Sequence, residues 1–201
     1  DQQGICHVVL PERGHLSPGM FCVGGDSHSP TGGAFGAYMF GIGATEMAGV
    51  LATGEIWIKV PETILIKWTG QTSTFVTAKD MMLATCAKIG MGGGRYQAIQ
   101  YAGEAIHKLN MQERMTMSNM AAELGAQAGL ISPDETTIEY LKSANASILD
   151  NWQTYQIEKP DLNGEVINLD ASSLSPQIAA PHSPENSSDV DDFKNISFDI
   201  A

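Results

Sequence analysis

The sequence predicts an α/β fold, and three observations carry that expectation. Short β-rich runs, such as Met20-Phe21-Cys22-Val23 and Thr63 to Trp68, alternate with helix-start signatures at Thr77, Asn110 and Ser132. The Met20–Val23 run delivers the chain to a polar block flanked by glycines, Gly24-Gly25-Asp26-Ser27-His28-Ser29-Pro30-Thr31-Gly32-Gly33. That block runs into a Gly-spaced apolar segment, Ala34 to Gly54. A strand ending in polar residues at a helix start is a common way to build an active site on an α/β scaffold. The same pattern also suits a turn whose Asp or Ser caps a helix.

Taken in order, Ile5 to Leu10 reads as a strand, closed by Pro11 and the Gly14–Gly19 loop. Met20–Val23 is the next strand. Ala34 to Thr53 reads as one helix despite Gly36, Gly41, Gly43 and Gly49, each of which costs a helix about 0.5–1 kcal/mol relative to Ala. So many glycines imply that another backbone packs close. Ile56–Val60 and Thr63–Trp68 are β-rich runs parted by Pro61-Glu62. Thr77 as N-cap with Asp80 behind it opens a helix through Ile89, which Gly90 and Gly92-Gly93-Gly94 end. Tyr96–Tyr101 is a strand. Asn110-Met-Gln-Glu113 matches a capping box for a helix through Gln127, packed by Met115, Met120 and Leu124. On it Asn119 and Glu123 are four residues apart and share a face. Ser132-Pro133-Asp134-Glu135 starts a helix with Ser132 as N-cap and Ile138 and Leu141 facing inward. Beyond Lys142 the chain turns rich in Ser, Asn, Asp and Pro, with a short apolar run at Val166–Leu169 and a strand-like end at Ile196–Ala201. These breaks suggest three units: 1–60, 61–145 and 146–201.

Composition narrows the function. The 201 residues suffice for a real core, and 43% hydrophobic content describes a soluble globular protein with no apolar run as long as a membrane span. Net charge is −12, with 13 acids against 9 bases in residues 1–142 and 10 against 2 in residues 143–201. This balance argues against a nucleic-acid surface, which needs clustered Lys and Arg. Cys6, Cys22 and Cys86 are widely spaced, with no C-x-x-C, and read as free thiols in a reducing cytoplasm. The chain starts Asp1-Gln2-Gln3 directly before an apolar run, which looks like a piece of a longer polypeptide.

The chemistry candidates are imidazoles and carboxylates. A carboxylate bonded to an imidazole fixes its tautomer and raises its basicity, which prepares it for proton transfer. His7, Asp26, His28 and Glu123 furnish two such pairs if the fold joins them; otherwise His7 is a core histidine and Glu123 a solvated helix residue. Gly92-Gly93-Gly94-Arg95 could hold a phosphate but lacks the Lys-Ser/Thr ending of a P-loop, and Gly41-Ile42-Gly43 lacks the third glycine of a dinucleotide fingerprint. His182, between two prolines' loops, reads as loop punctuation, and His15 and His107 as surface residues. Met111, Met115, Met117 and Met120 read as core filling.

Together these residues resemble the aconitase superfamily of iron–sulfur hydro-lyases. The matching text is Gly4-Ile-Cys-His7-Val, Gly25-Asp26-Ser27-His28-Ser-Pro-Thr-Gly-Gly-Ala-Phe-Gly-Ala and Phe40-Gly-Ile-Gly-Ala-Thr-Glu. It continues through Val50-Leu-Ala-Thr-Gly, Thr77-Ala-Lys-Asp80, Tyr101-Ala-Gly-Glu-Ala-Ile106, Met115-Thr-Met-Ser-Asn119-Met-Ala-Ala-Glu123-Leu-Gly-Ala and Pro133-Asp-Glu-Thr-Thr. The 3-isopropylmalate dehydratase large subunit, an enzyme of leucine biosynthesis, is the nearest branch, with homoaconitase and 2,3-dimethylmalate dehydratase as relatives.

The resemblance implies aconitase-type three-layer α/β/α domains, here incomplete. It implies catalytic roles for His7 paired with Asp26 and His28 paired with Glu123, with Ser27 and Asn119 near the substrate and cluster. The implied reaction is dehydration and rehydration of a hydroxy di- or tricarboxylate with a [4Fe–4S] cluster, beside a small swivel subunit or domain, in the cytoplasm, with no nucleic acid and no membrane. The family's cluster cysteines match none of Cys6, Cys22 and Cys86 and are expected after Ala201, so this stretch alone is expected to be inactive. His28-Ser29-Pro30 replaces the commoner His-Thr-x-Thr of isopropylmalate enzymes. Aconitase, homoaconitase and 2,3-dimethylmalate dehydratase therefore stay open as alternatives, as does a non-catalytic structural or interaction module.

Overall fold

In a computed structural model, which describes residues 4–157 and 164–197, strands and helices alternate around parallel sheets, as an α/β chain requires. The first elements are α1 (Cys6–Glu12), β1 (Phe21–Gly24), a 3-10 segment (Ser29–Phe35), β2 (Tyr38–Gly41) and α2 (Ala44–Thr53). Then come β3 (Thr63–Thr69), α3 (Ala78–Ile89), β4 (Ala98–Ala102), α4 (Glu104–His107), α5 (Met111–Asn119), β5 (Ala128–Ile131) and α6 (Glu135–Ser143). The end of the chain adds β6 (Val166–Asp170), β7 (Gln177–Ala179) and β8 (Ser187–Asp189).

Strands β5, β4, β3 and β6 form one parallel sheet in that order, with Ile64 opposite Ile99 and Tyr101 opposite Ile131. Strands β1 and β2 pair in parallel by themselves, and β7 with β8 antiparallel. A parallel sheet covered by helices needs continuous apolar strands, and Thr63-Ile-Leu-Ile-Lys-Trp-Thr69 supplies one, with Ile64, Leu65, Ile66 and Trp68 buried. Met81, Met82 and Cys86 of α3 and Met117 of α5 pack onto it, as does Leu124. Each such side chain removed from water contributes about 1.5–3 kcal/mol. A second core joins Leu16, Phe35, Met39 and Met111 to Ile138 and Leu141 of α6.

The helix starts at Thr77 and Asn110 form as expected. Asp80 Oδ2 accepts from the Thr77 N–H and hydroxyl at 2.7 Å each, while Asn110 and Glu113 bond each other's backbone N–H at 3.0 and 2.9 Å. Arg114 lies wholly buried on α5 and makes two bonds of 2.7 Å to the carboxylate of Asp134, the N-cap of α6. The cap is Asp134 rather than the expected Ser132, because Asp134 Oδ1 reaches the Thr137 N–H at 3.2 Å.

Other expectations fail for identifiable reasons. The Ile5–Leu10 run is helical, not a strand: the Val8 and Val9 N–H groups both donate to Ile5 O at 2.9 Å and the Arg13 N–H to Val9 O at 3.1 Å, so local backbone bonds take the place of a strand partner despite the β preference of the two valines. The single helix expected over Ala34–Thr53 is three elements. Gly36, at φ 72°, ends the 3-10 segment in a left-handed turn, after which Tyr38–Gly41 pairs with β1. The glycines do mark close backbone approach: a Cβ on Gly33 would strike Gly129 O, and one on Gly41 would strike Asp26 O. Ile56–Val60 is not a strand. The helix expected through Gln127 ends at Asn119, followed by a 3-10 turn and by β5, whose Ala-Gly-Leu-Ile text carries no alternation. The strand expected at Ile196–Ala201 lies mostly outside the described residues.

Candidate active site

The turn between β1 and the 3-10 segment carries Asp26, Ser27 and His28, and its own polar groups hold it. The Asp26 carbonyl accepts from the Ser29 N–H at 3.1 Å and from the Ser29 hydroxyl at 2.7 Å. Asp26 Oδ1 accepts from the His28 N–H at 2.7 Å. Short polar side chains that bond backbone two or three residues away favour such a turn over continued strand.

Onto this turn the fold brings the partners. His7, on α1, places Nε2 2.9 Å from Asp26 Oδ1, and His28 places Nε2 3.1 Å from Glu123 Oε1. The two rings lie 6.3 Å apart at 63°. An ionised carboxylate only accepts, so each Nε2 is the protonated nitrogen and each Nδ1 is an acceptor. The Ser27 hydroxyl lies 3.1 Å from His28 Nδ1, and the Cys6 thiol 3.3 Å from His7 Nδ1. Both imidazoles are therefore bonded at both nitrogens, which fixes their tautomer and orientation. The His28 N–H bond, countered by slight desolvation and aided by His7, holds the Asp26 carboxyl below the usual carboxylate range. Asp26 is 53% exposed, His28 34% and Glu123 30%, so the cluster remains reachable.

Asn119 is committed as well. Its Nδ2 donates to Thr31 Oγ1 at 2.9 Å, and the Thr31 hydroxyl donates to His28 O at 2.7 Å. The Asn119–Glu123 segment thus grips His28 at its backbone and at its ring. Sequence reasoning passed over Thr31, because its role exists only once α5 packs on the 3-10 segment. It passed over Cys6 as a partner of His7 for the same reason, since a helical α1 is what lets the adjacent thiol turn to the ring.

The remaining candidates stay outside. In the Gly92–Arg95 turn, the N–H groups of Gly93, Gly94 and Arg95 are spent on Gly90 O, Leu124 O and Gly92 O, and the Arg95 guanidinium pairs with Glu165. That leaves the turn no phosphate cradle. His15 and His107 are exposed, and His182 sits in a loop at φ 87°. Met111 and Met117 are core residues, against which Met115 and Met120 pack. Among the described residues no three His, Cys, Asp or Glu side chains gather as a metal site, and no helix is long and apolar enough to cross a membrane. Cys86 is buried in the core with its thiol pushed up to about 11 by burial, which suits packing and not ligation. The [4Fe–4S] cluster of aconitase-family proteins thus has no ligand set among the described residues.

Known proteins resemble this chain over nearly its whole length. The chain is 42% identical over 198 residues to the 3-isopropylmalate dehydratase large subunit of Moorella thermoacetica, an overlap covering 98% of this chain and 46% of that protein. It is 43% identical over 200 residues to the 3-isopropylmalate dehydratase large subunit 1 of Methanopyrus kandleri, covering 98% and 47%. The corresponding protein of Pyrococcus furiosus is 44% identical over 186 residues, covering 91% and 42%. The chain spans about half the length of the curated relatives it matches. The sequence model of the Aconitase family (aconitate hydratase) matches residues 1–200, and the chain belongs to that family.

Proposed function

We propose that this chain supplies one wall of a hydro-lyase active site that removes water from a hydroxy di- or tricarboxylate, such as 3-isopropylmalate, and adds it back. The observation that supports this reading best is the convergence of two imidazole–carboxylate pairs, His7–Asp26 at 2.9 Å and His28–Glu123 at 3.1 Å, on one reachable turn. Dehydration breaks a C–H and a C–O bond, so a base must take the carbon-bound proton while an acid protonates the departing hydroxyl. Re-addition reverses both, and the part assigned to these pairs is the proton on the oxygen. An imidazole backed by a carboxylate can hold that proton as imidazolium and release it, because the carboxylate stabilises the charged form. Glu123 does this for His28 and Asp26 for His7. Ser27, whose hydroxyl donates to His28 Nδ1, extends the proton path from the ring to the open side of the turn. Thr31 and Asn119 keep the His28 backbone fixed while its ring changes charge.

The names of the relatives, each a large subunit, support a small swivel subunit or domain as partner and a small hydroxy acid as substrate. Three free cysteines support a cytoplasmic location. The family's cluster supplies Lewis-acid chemistry when bound; the steps assigned here concern only protons held by this chain's own residues. The test is to follow the unsaturated acid by ultraviolet absorbance when the intact protein meets 3-isopropylmalate. The unsaturated product is expected from the wild type and is expected to fall by about 10²–10⁴ with His28→Gln. Full turnover by His28→Gln would sink the assignment, and no turnover by wild type would favour the non-catalytic module.

A further inference from the structure

Parallel sheets normally have both faces covered, and the larger sheet of this fold obeys that rule. Its β5 strand is backed by the 3-10 segment, and its outer strand β6 turns Asn168 and Asp170 to solvent. The β1–β2 pair is different. Among the described residues β1 pairs with β2 and with no other strand. Met20 O and Gly24 O accept from the Tyr38 and Ile42 N–H groups at 2.7 and 2.8 Å. Backbone groups alternate in direction along a strand, so those of Phe21 and Val23 point to the opposite, open edge. Phe21 itself is half exposed.

The helix that follows is uncovered too. Ala44, Ala48, Leu51 and Ala52 of α2 fall at i, i+4, i+7 and i+8, the spacing of an apolar stripe that faces a core. Yet all four are exposed, Leu51 to 81%. None of the ten residues of α2 is buried, and Glu46 is its one charged side chain. A helix this short is marginal in water unless something packs on it, and Gly49, with open space around it, weakens it further. Beside these elements lies a cleft of about 1280 Å³, lined by Phe21, Phe40, Ile42 and the Ile56–Val60 stretch, in which Trp57 is 90% exposed. That volume exceeds the roughly 300–1,000 Å³ of small-ligand sites. An open strand edge, an uncovered apolar helix face and a wide cleft between apolar walls together suit a protein segment.

We infer that this surface docks a segment of the same polypeptide outside residues 1–201, one that adds a strand to the β1 edge and lays an apolar face on α2. The matched relatives carry about as much chain again as the part this chain covers, enough to supply it. A second copy fits less well, because each copy of these 201 residues carries a net charge of −12 and like charge opposes their approach. Strand β1 ends two residues before Asp26, so the added strand also steadies the strand that carries the candidate site. The test uses the intact protein with photoreactive benzoylphenylalanine at Leu51 and, separately, at Trp57, and cross-linked peptides are identified by mass spectrometry. The expected product has monomer mass and joins α2 or Trp57 to a peptide outside residues 1–201. A link to a second copy or to another polypeptide, links confined to residues 1–201, or no link overturns the inference. Amide hydrogen exchange of the unsubstituted intact protein reads the edge directly. The Phe21 and Val23 N–H groups should exchange about 10²-fold or more slowly than unprotected amides, and exchange at the unprotected rate overturns the added strand. Leu51→Glu should lower the thermal midpoint of the intact protein; an unchanged midpoint would mean that α2 faces water and overturns the cover. None of these readouts needs turnover, so they stand or fall apart from the hydro-lyase reading.

Discussion

Two charged clusters flank α5 along the chain, and they are built in opposite ways. At its start, Arg114 is fully buried and all five N–H donors of its guanidinium are used: two on Asp134, one on Thr137 Oγ1 at 3.4 Å, one on Leu109 O at 3.0 Å and one on His107 O at 3.0 Å. Past its end, His28 and Glu123 share one bond of 3.1 Å and stay about one-third exposed. The first cluster leaves no donor free for a ligand; the second leaves carboxylate lone pairs and the lone pairs of the Ser27 oxygen open. A saturated buried pair specifies the fold, and an unsaturated, reachable pair is available for chemistry. The same helix does both because α5 is short, so its cap region and its active end face different neighbours.

The largest way to break this contrast is Arg114→Met. It leaves the Asp134 carboxylate without its partner and should lower unfolding free energy by about 3–5 kcal/mol, read by denaturant melts, while turnover per folded molecule stays near wild type. Asp134 itself gives the pH signature. Burial works against its ionisation, but Arg114 and the Thr137 N–H prevail and hold its carboxyl below the usual range. A depressed folded value means this stabilisation is complete above the unfolded carboxyl value of about 4 and is lost as pH falls through the folded value. Acid melts of Asp134→Asn should therefore be flatter than wild type below about pH 4.

A smaller effect is expected between the two clusters. Thr31→Val keeps the shape but removes both bonds joining Asn119 to the His28 carbonyl, leaving buried polar groups unpaired at a cost of about 1–3 kcal/mol. Here turnover should fall more than the melt implies, and Thr31→Ser should restore it. A melt and a rate that fall together would make Thr31 purely structural. The smallest expected effect is at the far end of α5, where Asn110→Ala removes an N-cap worth about 1 kcal/mol; it should register in the melt and leave turnover per folded molecule unmoved.

How much of this was legible depends on whether a feature is local. The capping pairs Thr77–Asp80 and Asn110–Glu113 are local and form as read. The Ala34–Thr53 stretch was misread because small, Gly-spaced residues fit several backbones, and only the pairing with β1 makes Tyr38–Gly41 a strand. The valines at 8 and 9 carry a β preference that finds no strand partner, and they lie in a seven-residue helix closed by its own backbone bonds. At the site, the Asp-Ser-His text is contiguous and readable, and so is the Asn119–Glu123 spacing. Thr31 was not readable: it gains its meaning from a helix 88 residues away along the chain.

The central claim, that the reachable pairs carry proton chemistry and do not merely hold the turn, is tested most directly at Glu123. Glu123→Gln keeps the shape and a hydrogen bond to His28 but removes the charge that stabilises its imidazolium. Turnover of the intact protein is measured beside its thermal midpoint. We expect the rate to fall by about 10²–10⁴ with the midpoint nearly unmoved, because the pair is exposed enough to contribute little stability. A rate equal to wild type, or a loss matched by unfolding, would contradict the account.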